Sequence, residues 1–312
     1  CSLRVVGSNV MKKQIVCIGE CMIEITDDQK LDRGFQFAGD VYNTAYNLKQ
    51  GLGPQFNVNF LTALGDDEFS TQMLKCWRDD GIDTSKVMIL DGDLPGLYII
   101  KTDKKGERRF HYWRGESAAK HFLNSIEFVN CLNSLSKPFC MYFSGITLAL
   151  MQDDVRAIFF KVMEGFRAGG TIMAFDSNFR PSLWDSSGQA IGALQKAWQL
   201  TDIAMPTLDD EIKLFGDTSA EELSRKLIDF GVSAGVIKLG AKGCFAFDGT
   251  ISQFSPAKRI RRVVDTTGAG DAFNGGFLSR YIETDDVVQS SILASRLAEQ
   301  VIGHAGAINR CN

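Results

Sequence analysis

Residues 261–277 read Arg261-Arg262-Val263-Val264-Asp265-Thr266-Thr267-Gly268-Ala269-Gly270-Asp271-Ala272-Phe273-Asn274-Gly275-Gly276-Phe277. The opening β-branched residues predict a strand. Ala272, Phe273, Gly276 and Phe277 then recur at helical spacing, so the small-residue turn Gly268-Ala269-Gly270 opens a helix. The first N–H groups of a helix lack internal partners, and the macrodipole places partial positive charge there. A turn of glycine and alanine lets an anion approach those groups, which makes a phosphate or oxyanion cradle. Asp271 at that cradle is suited to take a proton from a hydroxyl while the N–H groups stabilise a transferring phosphoryl group. A bare Gly-x-Gly-Asp would read more readily as a tight turn with a capping aspartate; the longer string is far more specific.

Outward from this turn, apolar runs of strand length recur at 15–18, 58–61, 139–143, 171–175, 203–205 and 235–239. Helix-length segments lie between several of them. Residues 66–81 carry Phe69, Met73, Leu74 and Trp77 at helical spacing before Gly81, and 154–166 repeat the pattern. Strands alternating with helices predict an α/β fold with a mostly parallel sheet covered on both faces. Residues 22–37 and 94–114 break the rhythm. Leu97-Tyr98-Ile99-Ile100, a charged turn and Arg109-Phe110-His111-Tyr112-Trp113 read as a β-hairpin. The expectation is one domain with a small β-lid over one end of the core; an edge hairpin is the plainer alternative.

The 312 residues are 45% hydrophobic and 23% charged, an ordinary globular composition with ample length for a core. The net charge of −4 gives no field to attract nucleic acid or an anionic membrane. The basic cluster Lys258, Arg259, Arg261 and Arg262 reads as a solvated edge. Eight cysteines are scattered, mostly in apolar runs, as buried small hydrophobes of a reducing compartment are. His111, His121 and His304 are too far apart in sequence to suggest a zinc site. Residues 1–10 lack the apolar core of a signal peptide, and Met11-Lys12-Lys13 looks like a natural start, so the first ten are expected to be a tag or a frayed extension. No run approaches 18 apolar residues. A cytoplasmic protein is expected.

The string Asp-Thr-Thr-Gly-Ala-Gly-Asp-Ala-Phe at 265–273 resembles the C-terminal signature of the PfkB (ribokinase-like) carbohydrate kinases. Phe37-Ala38-Gly39-Asp40-Val41-Tyr42-Asn43 is similar to that family's N-terminal substrate motif, with Ala38 in place of its first glycine. Thr62-Ala63-Leu64-Gly65-Asp66-Asp67-Glu68-Phe69 resembles its second glycine motif, and Val236-Ile237-Lys238-Leu239-Gly240-Ala241-Lys242-Gly243 its nucleotide loop. The likeness runs from about 13 to 308. It implies a three-layer α/β/α core with a β-sheet lid, ATP as donor with Mg²⁺, Asp271 as base and Gly268, Ala269 and Gly270 as anion hole. It further implies Gly39, Asp40 and Asn43 on the sugar, and Asn178, Arg180, Lys238, Gly240, Gly243, Gly268 and Gly270 on the nucleotide. Walker-type, dinucleotide and protein-kinase motifs do not occur.

Arg114 in Tyr112-Trp113-Arg114 and Arg180 in Asn178-Phe179-Arg180-Pro181 stand in loops suited to fork onto a carboxylate or phosphate. Each alone reads as a surface ion pair. With 19–24, 94–98, 178–184 and 201–211 they resemble one branch of the family, which phosphorylates the sugar acid 2-keto-3-deoxygluconate. That implies a carboxylate partner for Arg114, with Tyr98 and Tyr112 as a wall. Other sugars (fructose, ribose, 2-keto-3-deoxygalactonate) or a non-catalytic sugar-binding regulator are the alternatives. The family's Asn-x-x-Glu reads Thr207-Leu208-Asp209-Asp210 here, so Asp210 or Glu211 is left only a metal-linked role, and no metal ligand is assigned. In the family, the 304–308 region beside the Asp265 motif can hold a monovalent cation; it reads equally as a helix C-cap. Family lids often dimerise, so a homo-oligomer through the lid is the implied assembly.

Overall fold

The computed structural model describes residues 12–26, 35–102, 108–258, 260, 263–304 and 306–308. The expectations for residues 1–10 and for Arg259, Arg261 and Arg262 lie outside these. The chain runs through β1 (Lys13–Ile18), β2 (Met22–Thr26), β3 (Phe35–Ala38), β4 (Phe56–Gly65), β5 (Val87–Leu90), β6 (Gly96–Thr102), β7 (Arg108–Trp113), β8 (Cys140–Ser144), β9 (Ile172–Asp176), β10 (Ile203–Ala204), β11 (Ala234–Lys238), β12 (Gly243–Asp248) and β13 (Ser252–Pro256).

Nine of these form the main sheet, in the order β13-β12-β11-β10-β9-β8-β1-β4-β5. It is parallel from β5 to β11 and closes with the antiparallel β11-β12-β13 edge. The strands expected at 15–18, 58–61, 139–143, 171–175, 203–205 and 235–239 are present, with ends shifted by a few residues. The two faces of the sheet belong to two separate cores. Ile15 and Cys17 pack on one, with Trp77 and Phe277; Val16 and Ile18 pack on the other, with Phe159 and Trp198. That period-two split along β1 is the signature of a strand buried on both faces. Cys17, Cys21, Cys140 and Cys244 are buried thiols outside any disulfide, as expected, while Cys76 and Cys131 are half-buried.

The second sheet has the order β3-β2-β6-β7. Its hairpin β6–β7 pairs Leu97 with Trp113 and Tyr98 with Tyr112. β2 adds parallel to β6, so this is a separate four-stranded sheet and not an edge of the main one.

One expectation needs correcting. Val263 and Val264, read as the end of a strand, are not in a sheet and are 54% and 42% exposed. The Val264 N–H bonds the Ile302 carbonyl at 2.8 Å, and Asp265 N–H reaches the same oxygen at 3.3 Å. A loop satisfies these groups, so their β-branched side chains gain no pleated surface to pack on.

Helix Ala269–Thr284 packs closely on helix Asp40–Gly51. Gly275 makes that approach possible. A Cβ there would stand 2.6 Å from Asn47 Cβ, 2.7 Å from Leu48 N and 2.7 Å from Thr44 O. Gly275→Ala is expected to lower unfolding free energy by about 1–3 kcal/mol in urea denaturation, because backbone must move. Gly192→Ala, in helix Ser187–Leu200 with nothing within 4 Å of the added Cβ, is expected to be neutral or stabilising by up to about 1 kcal/mol.

Candidate active site

The C-terminal ends of the parallel strands point to one edge of the sheet, the place where open α/β sheets bind ligands. Chain order reverses between β1 and β8, which are neighbours there. Around this edge the structure gathers most of the residues singled out in sequence.

Asp271 lies in the first turn of helix Ala269–Thr284. Gly268 caps it with φ +75°, a left-handed conformation that glycine adopts without strain. A Cβ on Gly268 would also come within 2.7 Å of Ala307. Ala269 N–H bonds Thr266 O at 3.3 Å and Ala272 N–H makes the first helical bond, to Gly268 O at 2.8 Å, so the Gly270 and Asp271 N–H groups between them are helix-end donors. Gly270 has open space where a side chain would project, bounded by Lys238 Nζ at 3.9 Å. An anion fits there.

Asn43 Nδ2 donates to Asp271 Oδ2 at 2.8 Å, and Asn43 Oδ1 accepts the Gly39 N–H at 3.3 Å. Thr44 Oγ1 donates to Asp271 O at 3.3 Å. Asp40 Oδ2 accepts from Asn178 Nδ2 at 3.0 Å. Asn178 is a non-glycine residue at φ +31°, which costs backbone strain; the bond to Asp40 is part of what holds it. The Asp271 carboxyl is pushed up to about 7, first by burial and then by the negative charge of Asp40; the Asn43 bond and Lys238 oppose this without cancelling it.

Beneath lies a second cluster. Buried Lys238 Nζ donates to Asp176 Oδ2 at 2.6 Å and to Asn274 Oδ1 at 2.9 Å. Asn274 Nδ2 donates in turn to Asp176 Oδ2 at 2.7 Å and Tyr142 OH at 3.3 Å. Lys238 thus has protein partners on the side facing the sheet while standing near Gly270 on the other. Beside it opens a largely apolar cavity of about 530 Å³. Lys238, Gly240, Gly243, Gly270 and Phe273 line it, together with Ile302 and Glu299 from the C-terminal helix and the loop after it. Its size and apolar walls suit a nucleobase with its sugar.

The small sheet presents Tyr98 and Tyr112, rings 5.6 Å apart. Tyr98 is buried and its hydroxyl donates to Glu24; Tyr112 is half exposed. Burial raises the Tyr112 phenol, while Arg114 and Arg180 pull it down and Asp40 and Glu24 push it up; those four charges surround it. Arg114 forms an ion pair with Glu20. Arg180 is looser, 49% exposed, with Nη1 on Phe179 O at 3.1 Å and 3.7 Å from Asp210 Oδ2.

Sequence reasoning gave no role to Glu20, Glu24, Asp176, Tyr142 or Asn274. Glu20, Glu24 and Asn274 stand within the quoted strings, which was the one available signal. Glu211 is 1% exposed, and among the described residues neither of its oxygens has a hydrogen-bond partner. Burial pushes it up to about 7; the Ser177 hydroxyl draws it back slightly, although the two stop short of a formed bond. No group of three or more His, Cys, Asp or Glu side chains among the described residues is placed to hold a metal ion directly. Nor is any described helix long and apolar enough to cross a membrane.

A cradle at a helix end, a carboxylate poised near neutrality and an adjoining nucleobase-sized cavity define a phosphotransferase of the α/β class. The sequence matches the pfkB family carbohydrate kinase profile over residues 12–312, and the chain belongs to that family. It is 38% identical over 301 residues to the 2-dehydro-3-deoxygluconokinase of Dickeya dadantii (95% of this chain, 96% of that protein). It is 37% identical over 305 residues to the enzyme of the same name from Escherichia coli K12 (96% and 97%). Among solved structures, fructokinase from Vibrio cholerae with fructose, ADP and calcium ion superimposes with a TM-score of 0.80 at 22% identity, over 96% of this chain and 95% of that one. The fold expected from the sequence is therefore the fold observed, and the protein is a kinase.

Burial of Asp271 has a consequence for stability. Its folded value of about 7 lies above the ordinary 3.8, so the unfolded chain loses this proton first as pH rises. The carboxyl therefore subtracts stability progressively between roughly pH 4 and 7. Asp271→Asn, which cannot ionise, is expected to gain Tm relative to the parent as the pH goes from 5 to 8. Calorimetry showing a pH-independent difference would contradict the raised value.

Proposed function

We propose that the chain transfers the γ-phosphoryl group of ATP to the terminal hydroxyl of 2-keto-3-deoxygluconate. One observation carries the reading: Asp271, held by Asn43 and raised to about 7, stands in the first turn of its helix, next to Gly270 of the cavity wall. Asp271 accepts the proton of the attacking hydroxyl, and a base poised near the working pH does this well. The hydroxyl attacks phosphorus in line. The N–H groups of the Gly268-Ala269-Gly270 turn receive the charge that develops, and the helix end favours it.

The cavity takes the adenosine, with Gly240 and Gly243 close to it and Lys238, Asn178 and Arg180 toward the phosphates. Magnesium arriving with ATP neutralises phosphate charge. Buried Glu211 has two oxygens without partners and Asp210 lies beside it, so the donor set fits a hydrated ion held mainly by the phosphates. A monovalent cation near the 302–308 loop is a lesser part of the proposal, since Asp265 there already accepts N–H groups from Thr267 at 2.7 Å and Gly306 at 2.8 Å.

Gly39, Asp40 and Asn43 hold sugar hydroxyls, Tyr98 and Tyr112 wall the cleft, and Arg114 and Arg180 face the carboxylate. The acid substrate is the one in the names of the two relatives quoted above. Ionic pairing of Arg114 with Glu20 keeps a neutral sugar as the second reading, because that arginine's charge is already countered. The small sheet acts as a lid of a single kinase domain, in the cytoplasm.

Turnover assays with ATP, Mg²⁺ and 2-keto-3-deoxygluconate, 2-keto-3-deoxygalactonate, fructose or ribose test the reading. Turnover confined to the keto-deoxy acids is expected, with Asp271→Asn slower by about 10²–10⁴-fold. Turnover confined to a neutral sugar would overturn the substrate, and near-normal turnover of Asp271→Asn would remove it as base. Phe110, Tyr112 and Trp113 expose aromatic surface on β7, Trp113 to 58%. We expect light scattering to find a dimer through this sheet and Trp113→Glu to weaken it; a monomeric parent would exclude that assembly.

A further inference from the structure

We infer that Glu20 is a positioning residue for Arg114 and so sets the preference for a carboxylate-bearing sugar. The inference rests on the sugar-acid reading above. Glu20 lies in Gly19-Glu20-Cys21, the link by which the chain leaves β1 of the main sheet and enters β2 of the small one. It is 2% exposed. One carboxylate oxygen accepts the Ser117 hydroxyl, and the other faces Arg114 Nη2. Ser117 lies where the chain returns from β7 to the core, beside Leu94, with which it forms a bridge.

The carboxylate has little freedom. A Cβ on Gly96 would stand 3.0 Å from Glu20 Oε1, so β6 begins directly against it. A Cβ on Gly39 would stand 2.3 Å from Glu20 O, so the sugar-motif turn fixes the backbone from behind. Glu20 is therefore fixed by groups from three separate chain segments, at the point where both sheets meet.

Arg114 is the less constrained partner. Its side chain is long, and an unanchored guanidinium loses much rotamer freedom when it binds. Here the Tyr112 ring lies 5.9 Å from the guanidinium carbon, and Nη2 faces the fixed carboxylate. The contact is an ion pair rather than an aligned hydrogen bond: among the described residues neither Glu20 Oε2 nor Arg114 Nε has a hydrogen-bond partner. Arg114 is thus held in place with one buried N–H still unsatisfied. A ligand carboxylate that reaches the part of this side chain left accessible meets a guanidinium already oriented. A sugar hydroxyl supplies a weaker, uncharged acceptor there. Because the Glu20–Arg114 pair is close to neutral, it selects the acid by fixed geometry more than by loose positive charge.

Steady-state kinetics of the full chain with 2-keto-3-deoxygluconate and ATP test this. Glu20→Gln is expected to raise KM for the acid about tenfold, with kcat and KM for ATP within about twofold. Ser117→Ala should shift KM in the same direction by less. In an Arg114→Ala background, adding Glu20→Gln should change nothing further; a merely structural Glu20 would add its full effect there. An unmoved KM in Glu20→Gln, equal losses in kcat and in KM for ATP, or additivity in the double variant each overturns the assignment. Should Glu20→Gln fail to fold, an unchanged KM in Ser117→Ala overturns it. A parent that phosphorylates the acid while the variants behave as parent refutes Glu20 alone. A parent that phosphorylates only neutral sugars refutes both this assignment and the substrate reading.

Discussion

The close approach of helices Asp40–Gly51 and Ala269–Thr284 is the constraint on which the site depends. Residues 228 positions apart, Asn43 and Asp271, come within one hydrogen bond because Gly275 lets two helix backbones touch. Bulk at 275 would do more than open a gap in packing. It would tilt the second helix, and the second helix carries the anion cradle, the base and Asn274 together. Thr44 ties the pair a second time, through Asp271 O and Tyr142 OH. One steric fact thus sets the position of the carboxylate against the sugar motif, the cradle against the cavity, and the buried network against the sheet.

That geometry imposes an electrostatic load. Asp40, Asp176 and Asp271 converge at one edge of the sheet, with Lys238 as the buried cation among them. Lys238 is bonded directly to Asp176 and Asn274, so Asp271 feels it only at a distance and remains undercompensated. Burial and Asp40 then dominate, and the carboxyl titrates near neutrality. A structural ion pair would be built the other way, with the cation on the acid at the cradle. Leaving the acid at the cradle short of positive charge suits the proton-accepting role proposed for it.

Much of this was legible in the chain, and the reason is locality. The turn at 268–270 is written in consecutive residues, since cap, cradle and base all belong to one helix end. Period-two burial along β1 and the helical spacing of 68–79 are likewise short-range signals. Glu20 was not legible: its partner Ser117 is 97 positions away, and a single Glu between Gly and Cys carries no pattern. The Lys238–Asp176 bond spans 62 positions and was missed for the same reason. Val263 and Val264 misled because β-propensity reports a half-buried pleated surface, and here a loop beside Ile302 takes the backbone bonds instead.

The C-terminal loop joins the small sheet to the cradle, which neither motif announces alone. Ala307 packs with Met22, Ala38, Tyr98 and Ile100 of the small sheet. The same residue fills the space a Gly268 side chain would need. Its neighbour Gly306, at φ +89°, faces the Gln36 amide of β3 closely enough that a Cβ would come within 2.6 Å of Oε1, and its N–H binds Asp265 at 2.8 Å. Gly268 is thus required twice, once by its own backbone conformation and once by Ala307. Close-packed atoms transmit displacement, so β3 cannot move against the core without pressing on the residue that backs the cradle. The small sheet and the helix-end turn are therefore one mechanical unit, assembled by two small residues at the end of the chain's described course.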